Sequence, residues 1–235
     1  WQPYSWKAFV PVVIACVIAL LLVPRERKTL RIAVALYLLL NIGAFVVHTP
    51  IGSNAARLGQ LVAGALAAVV LLNPRPRLFM ALLPLALVWQ WTAPVIDNDR
   101  AANDRSTQTA FFKPLIQELE TLGGPPSRVE VVWTRGHWEA AVVARKYPLA
   151  RGWERQLDNE RNATVNGASI TPAAYRKWID GLAVRWVALP NNTPIDKAAE
   201  GEAKLVRAGQ PWLREIWKSQ DWTLYEVVGA KLLKP

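Results

Sequence analysis

Two short stretches hold the side chains able to do chemistry. The first is His137-Trp138-Glu139, with Arg151-Gly152-Trp153-Glu154-Arg155-Gln156-Leu157-Asp158 a few residues on and Asn159, Asn162 and Asn166 behind it. An indole offers an apolar platform to a ring face, and adjacent carboxylate, guanidinium and amide groups offer paired hydrogen bonds to hydroxyls or phosphate. His137, Glu139, Arg151, Trp153 and Glu154 are therefore candidate contacts to a sugar, and the same residues would equally serve as an amphipathic surface with ordinary ion pairs. The second stretch is the polar segment His48-Thr49-Pro50-Ile51-Gly52-Ser53-Asn54-Ala55-Ala56-Arg57-Leu58-Gly59-Gln60, set between two apolar runs. Arg57 stands where a helix begins, so guanidinium and helix N-terminus together suit a phosphate, with Asn54 and His48 shaping the hairpin. An Arg at a helix end also reaches lipid headgroups without any specific ligand.

Other chemistries find no residues. The two histidines are far apart, and the single cysteine, Cys16, falls inside an apolar run, so no metal cluster is expected. Cys16 also has no partner for an internal disulfide. No phosphate loop, dinucleotide fingerprint or Gly-x-Ser-x-Gly elbow occurs, and no cofactor is expected. Neither is a self-contained soluble enzyme.

The elements that must position these groups divide the chain near Asp97. Residues 1–96 carry eight basic residues against one acidic, a net of +7, whereas 97–235 carry a net of +3. The basic excess thus lies beside apolar segments rather than on a folded face, and does not argue for a nucleic-acid partner. Four apolar runs, about 7–23, 30–47, 58–72 and 78–96, are near the ~20 residues of helix that cross a bilayer. Gly59, Ala63, Gly64, Ala67 and Ala68 give the third a small-residue face suited to close helix packing. Arg25, Arg27, Lys28 and Arg31 in one loop, with Arg75 and Arg77 in another, place both loops inside. The hairpin around Arg57 and everything after Asp97 then face outward, with Trp1, Tyr4 and Trp6 as an outer aromatic belt. The chain opens on Trp without a basic leader, so it reads as a piece of a longer polypeptide whose missing part is N-terminal.

After a polar exit loop at 97–104, the pattern becomes that of a small α/β domain. A helix is predicted over 111–122, stopped by Gly123-Gly124-Pro125-Pro126, then a strand over 128–133 and a strand or short helix over 137–144. Thr171-Pro172 is an N-cap and first-turn pair for a helix through Leu182, and 184–190 reads as a buried strand. A helix follows over about 196–208, then 211–218, and 222–228 alternates as a final strand. The expected fold class is an array of about four transmembrane helices followed by a small extracytoplasmic α/β domain.

This layout, with the hairpin Thr49-Pro50-Ile51-Gly52-Ser53-Asn54-Ala55-Ala56-Arg57-Leu58, the segment Trp178-Ile179-Asp180-Gly181-Leu182-Ala183-Val184-Arg185-Trp186-Val187-Ala188-Leu189 and Trp222-Thr223-Leu224-Tyr225-Glu226-Val227, resembles the C-terminal part of a GT-C type polytopic membrane glycosyltransferase, as in actinobacterial multi-spanning proteins. The resemblance implies an enzyme of the bacterial plasma membrane that moves a sugar from a polyprenyl-phosphate carrier to an envelope glycan or lipid acceptor. In such enzymes an acidic residue of the first outer loop is the catalytic base. The outer membrane loop has none, so the base would lie upstream of Trp1. Arg57 is the position carried over, as a contact to the lipid phosphate. The alternative is a non-catalytic membrane scaffold with a partner-binding outer domain. A transporter fits less well, because the four runs contain no ionisable relay.

Overall fold

The computed structural model describes residues 3–47, 49–123, 127–167 and 169–230. Trp1 of the expected aromatic belt, His48 of the hairpin and Gly124-Pro125-Pro126 of the expected helix stop lie outside the described residues. The chain divides into two compact units, Trp1–Asn98 and Asp99–Pro235.

The first unit is helical. Helices α1 (Trp6–Leu22), α2 (Lys28–Val46), α3 (Ala56–Leu71) and α4 (Pro76–Ala102) follow the four apolar runs. Among the described residues three helical stretches, Lys28–Val46, Gly52–Leu71 and Pro76–Ala102, are long and apolar enough to cross a membrane, and α1 is a shorter apolar helix of 17 residues. Leu21, Leu36, Leu61 and Leu85 are exposed. Such continuous apolar exposure is what a lipid or protein partner covers. Between the helices Val12, Cys16, Val34 and Ala56 form one small core, and Val23, Val70, Leu71 and Phe79 another.

Polar groups tie the bundle where the sequence shows only apolar periodicity. Tyr4 donates to Asn41 Oδ1 at 2.7 Å, and Asn41, fully buried in α2, donates to the Tyr37 carbonyl at 2.9 Å. The Tyr37 hydroxyl donates to the Ala55 carbonyl at 2.7 Å and accepts the Gly59 N–H at 2.9 Å. Arg31 of α2 donates to the carbonyls of Leu20 and Val23, closing the C-terminus of α1 whose last carbonyls have no partner within the helix. Arg31 thus serves helix packing as well as the basic loop.

The exit loop expected at 97–104 is helical as far as Ala102. Asn103 donates to the carbonyl and carboxylate of Asp99, so a side chain satisfies the last turn and the polar residues extend the helix instead of ending it.

The second unit is a three-layer α/β domain. Its sheet has the order β1 (Arg128–Val131), β2 (Val184–Pro190), β4 (Trp222–Val227), β3 (Leu213–Lys218), with β1 and β2 parallel and the remaining pairs antiparallel. Leu213–Lys218 falls in the segment 211–218 placed after the helix expected over about 196–208. It is an edge strand whose burial follows no alternation and whose register shifts between Glu215 and Trp217, which hides its period. Helix α5 (Thr109–Thr121) packs Phe112, Leu115 and Leu119 against Val129, Val131, Trp186, Ala188, Trp222 and Leu224 on one sheet face. On the other face α8 (Pro172–Gly181) and α9 (Glu200–Arg207) pack Tyr175, Ile179, Ala203 and Val206 against Val187, Leu189, Leu213 and Val227. Thr171 caps α8 as expected, its hydroxyl accepting the Ala174 N–H. Between β1 and α8 lie α6 (Glu139–Val142), the short helix of the two forms expected there, and α7 (Arg155–Arg161).

Candidate functional site

The parallel pair β1 and β2 fixes where the polar residues converge. Past Val131 the chain continues through Trp133 and Thr134, which bridges Ile195, and the turn at 135–138 brings His137 back beside them. The loops that follow the strand ends of an open α/β sheet are where such folds hold ligands.

His137 adopts a left-handed φ of 56°. That conformation costs a non-glycine residue energy unless its surroundings impose it. Here they do. The ring meets Trp133 edge-on at 5.0 Å and lies under Trp153 at 5.0 Å with 19° between the planes. Nε2 is 3.3 Å from Asp196 Oδ2, and Nδ1 is 3.6 Å from Glu139 Oε1. Glu139 is buried, and its other oxygen accepts the Thr134 hydroxyl at 2.6 Å. Burial pushes the imidazole toward neutrality, but the two carboxylates outweigh it and hold its pKa above the ordinary value.

Arg151 joins the same column from below, its guanidinium 4.1 Å over the Trp133 ring. It donates to Glu130 Oε1 at 2.8 Å, to Asn166 Oδ1 at 3.1 Å and to Glu202, whose second oxygen accepts the Tyr175 hydroxyl at 2.7 Å. The side chains of Glu130, Arg151 and Glu202 are fully buried. Two carboxylates facing one guanidinium leave a surplus negative charge in low dielectric. Desolvation, and then Glu202 against the relief given by Arg151, hold the Glu130 carboxyl well above the usual carboxylate range.

Of the residues expected to contact a sugar, the structure brings together His137, Glu139, Arg151 and Trp153, and it divides them by access. Trp153 is 56 % exposed and offers an open indole face, whereas Glu139 and Arg151 are buried and bound to protein partners. A buried Arg151 therefore supports the column from within and does not meet a ligand there. Glu154 is exposed, and its backbone N–H donates to Asp158. In the first unit Asn54 and Arg57 are exposed, and His48 lies outside the described residues. The turn Gly52–Ala55 runs straight into α3, so the Ala56 N–H bonds to the carbonyls of Ser53 and Asn54 and the Gly59 N–H to Tyr37. The guanidinium of Arg57, rather than open helix N–H groups, is what this place offers an anion.

Glu130, Glu202, Tyr175, Thr134, Trp133 and Asp196 complete the site and were not expected in it. A signal existed for two. Glu130 sits between Val129 and Val131 in a buried strand, and Glu202 lies between Ala199 and Ala203, Leu205 and Val206 on the inner face of α9.

The class this architecture defines is a set of membrane-length helices followed by a three-layer α/β domain with a polar and aromatic column at one end of its sheet. No family model, curated protein or solved structure matches the chain.

Proposed function

We propose that the chain is part of an integral glycosyltransferase of the bacterial plasma membrane, moving a sugar from a polyprenyl-phosphate carrier to an envelope glycan or lipid acceptor, with the α/β domain on the extracytoplasmic side. The observation that carries this reading is the exposed indole of Trp153. It is held in one orientation by stacking on His137, in a domain borne by membrane-length helices. A rigid aromatic face beside carboxylate and amide groups suits a sugar ring. Two features of the first unit support a lipid carrier: the exposed Arg57 for its phosphate, and an apolar cleft of about 530 Å³ lined by all four helices for its chain.

A second reading, a non-catalytic membrane scaffold, is favoured by the burial of Glu139 and Arg151, which leaves the column more suited to binding than to proton transfer. One experiment separates the two. The full-length protein that carries this chain is titrated in lipid nanodiscs with a polyprenyl-phosphate sugar, and transfer to an oligosaccharide acceptor is followed with a labelled donor. The transferase reading expects donor binding that weakens in Arg57→Ala and acceptor use that falls in Trp153→Ala. Absence of donor binding by the wild type would replace it with the scaffold.

A further inference from the structure

The surroundings of His137 suit a ring with two protons. A neutral imidazole has one N–H and can donate to only one acceptor. Here each nitrogen faces a carboxylate, Nε2 that of Asp196 at 3.3 Å and Nδ1 that of Glu139 at 3.6 Å. Nδ1 and Glu139 Oε1 are both buried, and neither has a hydrogen-bond partner among the described residues. An imidazolium would serve both carboxylates and supply the counter-charge that a buried Glu139 needs.

The groups that this proton would control reach the surface. The other oxygen of Asp196 accepts the Ala198 N–H, so the ring ties the turn at 135–138 to the turn Lys197–Ala199. Its face carries Trp153, whose indole is open to solvent while the imidazole beneath is 5 % exposed. A cation under an indole face is attracted to it, and a neutral ring is not attracted in that way. The charged groups that meet the imidazole are Glu139 from α6 and Asp196 from the turn before α9. Thr134 and Trp133 line it from the strand side without charge, and Arg151, over the Trp133 ring, is bound by Glu130 and Glu202.

We propose that His137 is a proton-operated latch: protonated, it bridges Glu139 and Asp196 and holds Trp153 in place as an ordered platform, and on losing its proton it frees Trp153 and the loop that carries it. The latch goes beyond the sugar reading and does not depend on which ligand the indole takes. It closes toward acid and opens toward alkali. Because the ring's proton is held more tightly in the folded domain than in a free loop, the sign is fixed. Each unit by which its folded pKa exceeds about 6.5 gives about a tenfold change in the loop's opening equilibrium across the titration.

The test uses the full chain in nanodiscs with isotope-labelled histidine. The chain has only two histidines, so His48→Gln identifies the His137 signal. The ring is titrated by NMR, and hydrogen exchange of peptides covering 133–139 and 150–158 is followed over the same pH range, normalised to intrinsic rates. The latch expects protection of both peptides to fall with the midpoint of His137, and this step to vanish in His137→Gln. Glu139→Gln, which keeps the ring and removes one carboxylate, is expected to lower that midpoint and move the exchange step with it. The proposal is overturned if protection at 150–158 does not change with His137, if His137→Gln keeps the step, or if Glu139→Gln leaves the midpoint where it was.

Discussion

Replacing Arg151 with Met removes the one cation between two buried carboxylates while keeping most of the side-chain volume. The guanidinium is fully buried, bonded to Glu130, Glu202 and Asn166, and stacked on Trp133. Removing one partner of a buried pair costs about 3–5 kcal/mol, because the remaining charge has neither water nor a counter-ion. Glu130 behaves differently. Its carboxyl holds its proton to higher pH than an ordinary carboxylate, and one oxygen has no hydrogen-bond partner among the described residues, so Glu130→Gln swaps one neutral group for another and costs about 1 kcal/mol or less in mildly acid buffer. The assay is native-state hydrogen exchange on the full chain in detergent, read at the slowest amides of β1 and β2. Arg151→Met should lower their protection by roughly 150- to 5,000-fold, since each 1.36 kcal/mol is tenfold. Glu130→Gln should lower it by about fivefold or less. Replacing the whole group, as in Glu130→Leu with Arg151→Met and Glu202→Gln, leaves Tyr175 an acceptor and should restore most of the loss. If Glu130→Gln costs as much as Arg151→Met, Glu130 is an ionised partner and the reasoning from surplus charge is wrong.

Three further outcomes follow from the same geometry. Glu130 and His137 both have pKa values raised by folding, so at these two groups the folded state binds more protons than the unfolded chain, and the stability they contribute is lost as pH rises through their folded values. In denaturant titrations at a series of pH values, Glu130→Gln should flatten the loss that begins above about 4.3 and His137→Gln the loss that begins above about 6.5. Gly59→Ala would set its Cβ 2.9 Å from the Tyr37 hydroxyl and 3.3 Å from the Trp89 ring. Thermal unfolding in detergent should show a cost of about 1–3 kcal/mol, and an unchanged midpoint would mean that Tyr37 moves aside freely. Asn41→Leu leaves the Tyr4 hydroxyl without its acceptor and should cost about 0.6–1.7 kcal/mol in the same assay, with Tyr4→Phe adding little once Asn41 is gone.

What the sequence allowed to be read was local. Apolar length marked α1 to α4, the Thr171-Pro172 pair marked the start of α8, and a run apolar but for Arg185 marked β2 at the bounds it has, Val184–Pro190. Those signals are properties of a few neighbouring residues. The polar pairings are not: Glu130 meets Arg151 across 21 positions and Arg151 meets Glu202 across 51, distances fixed only once the parallel crossover from β1 to β2 is formed. The same limit explains why Arg151 and Trp153, two residues apart and alike as candidates, part company. One turns into the layer between sheet and helices, and the other turns out over His137.

That divergence is also what makes the column a unit. Arg151 stacks on Trp133, Trp133 touches His137, and His137 carries Trp153, so an exposed indole is linked through three ring contacts to a fully buried ion cluster. A surface aromatic usually keeps its rotamer freedom, and burying such freedom on binding costs affinity. Here the cost of ordering falls on folding instead, met by the buried charges beneath. The placement of Glu130 in a core strand and of His137 at a left-handed φ, each unfavourable by itself, is what local stability gives up for a fixed platform at the surface.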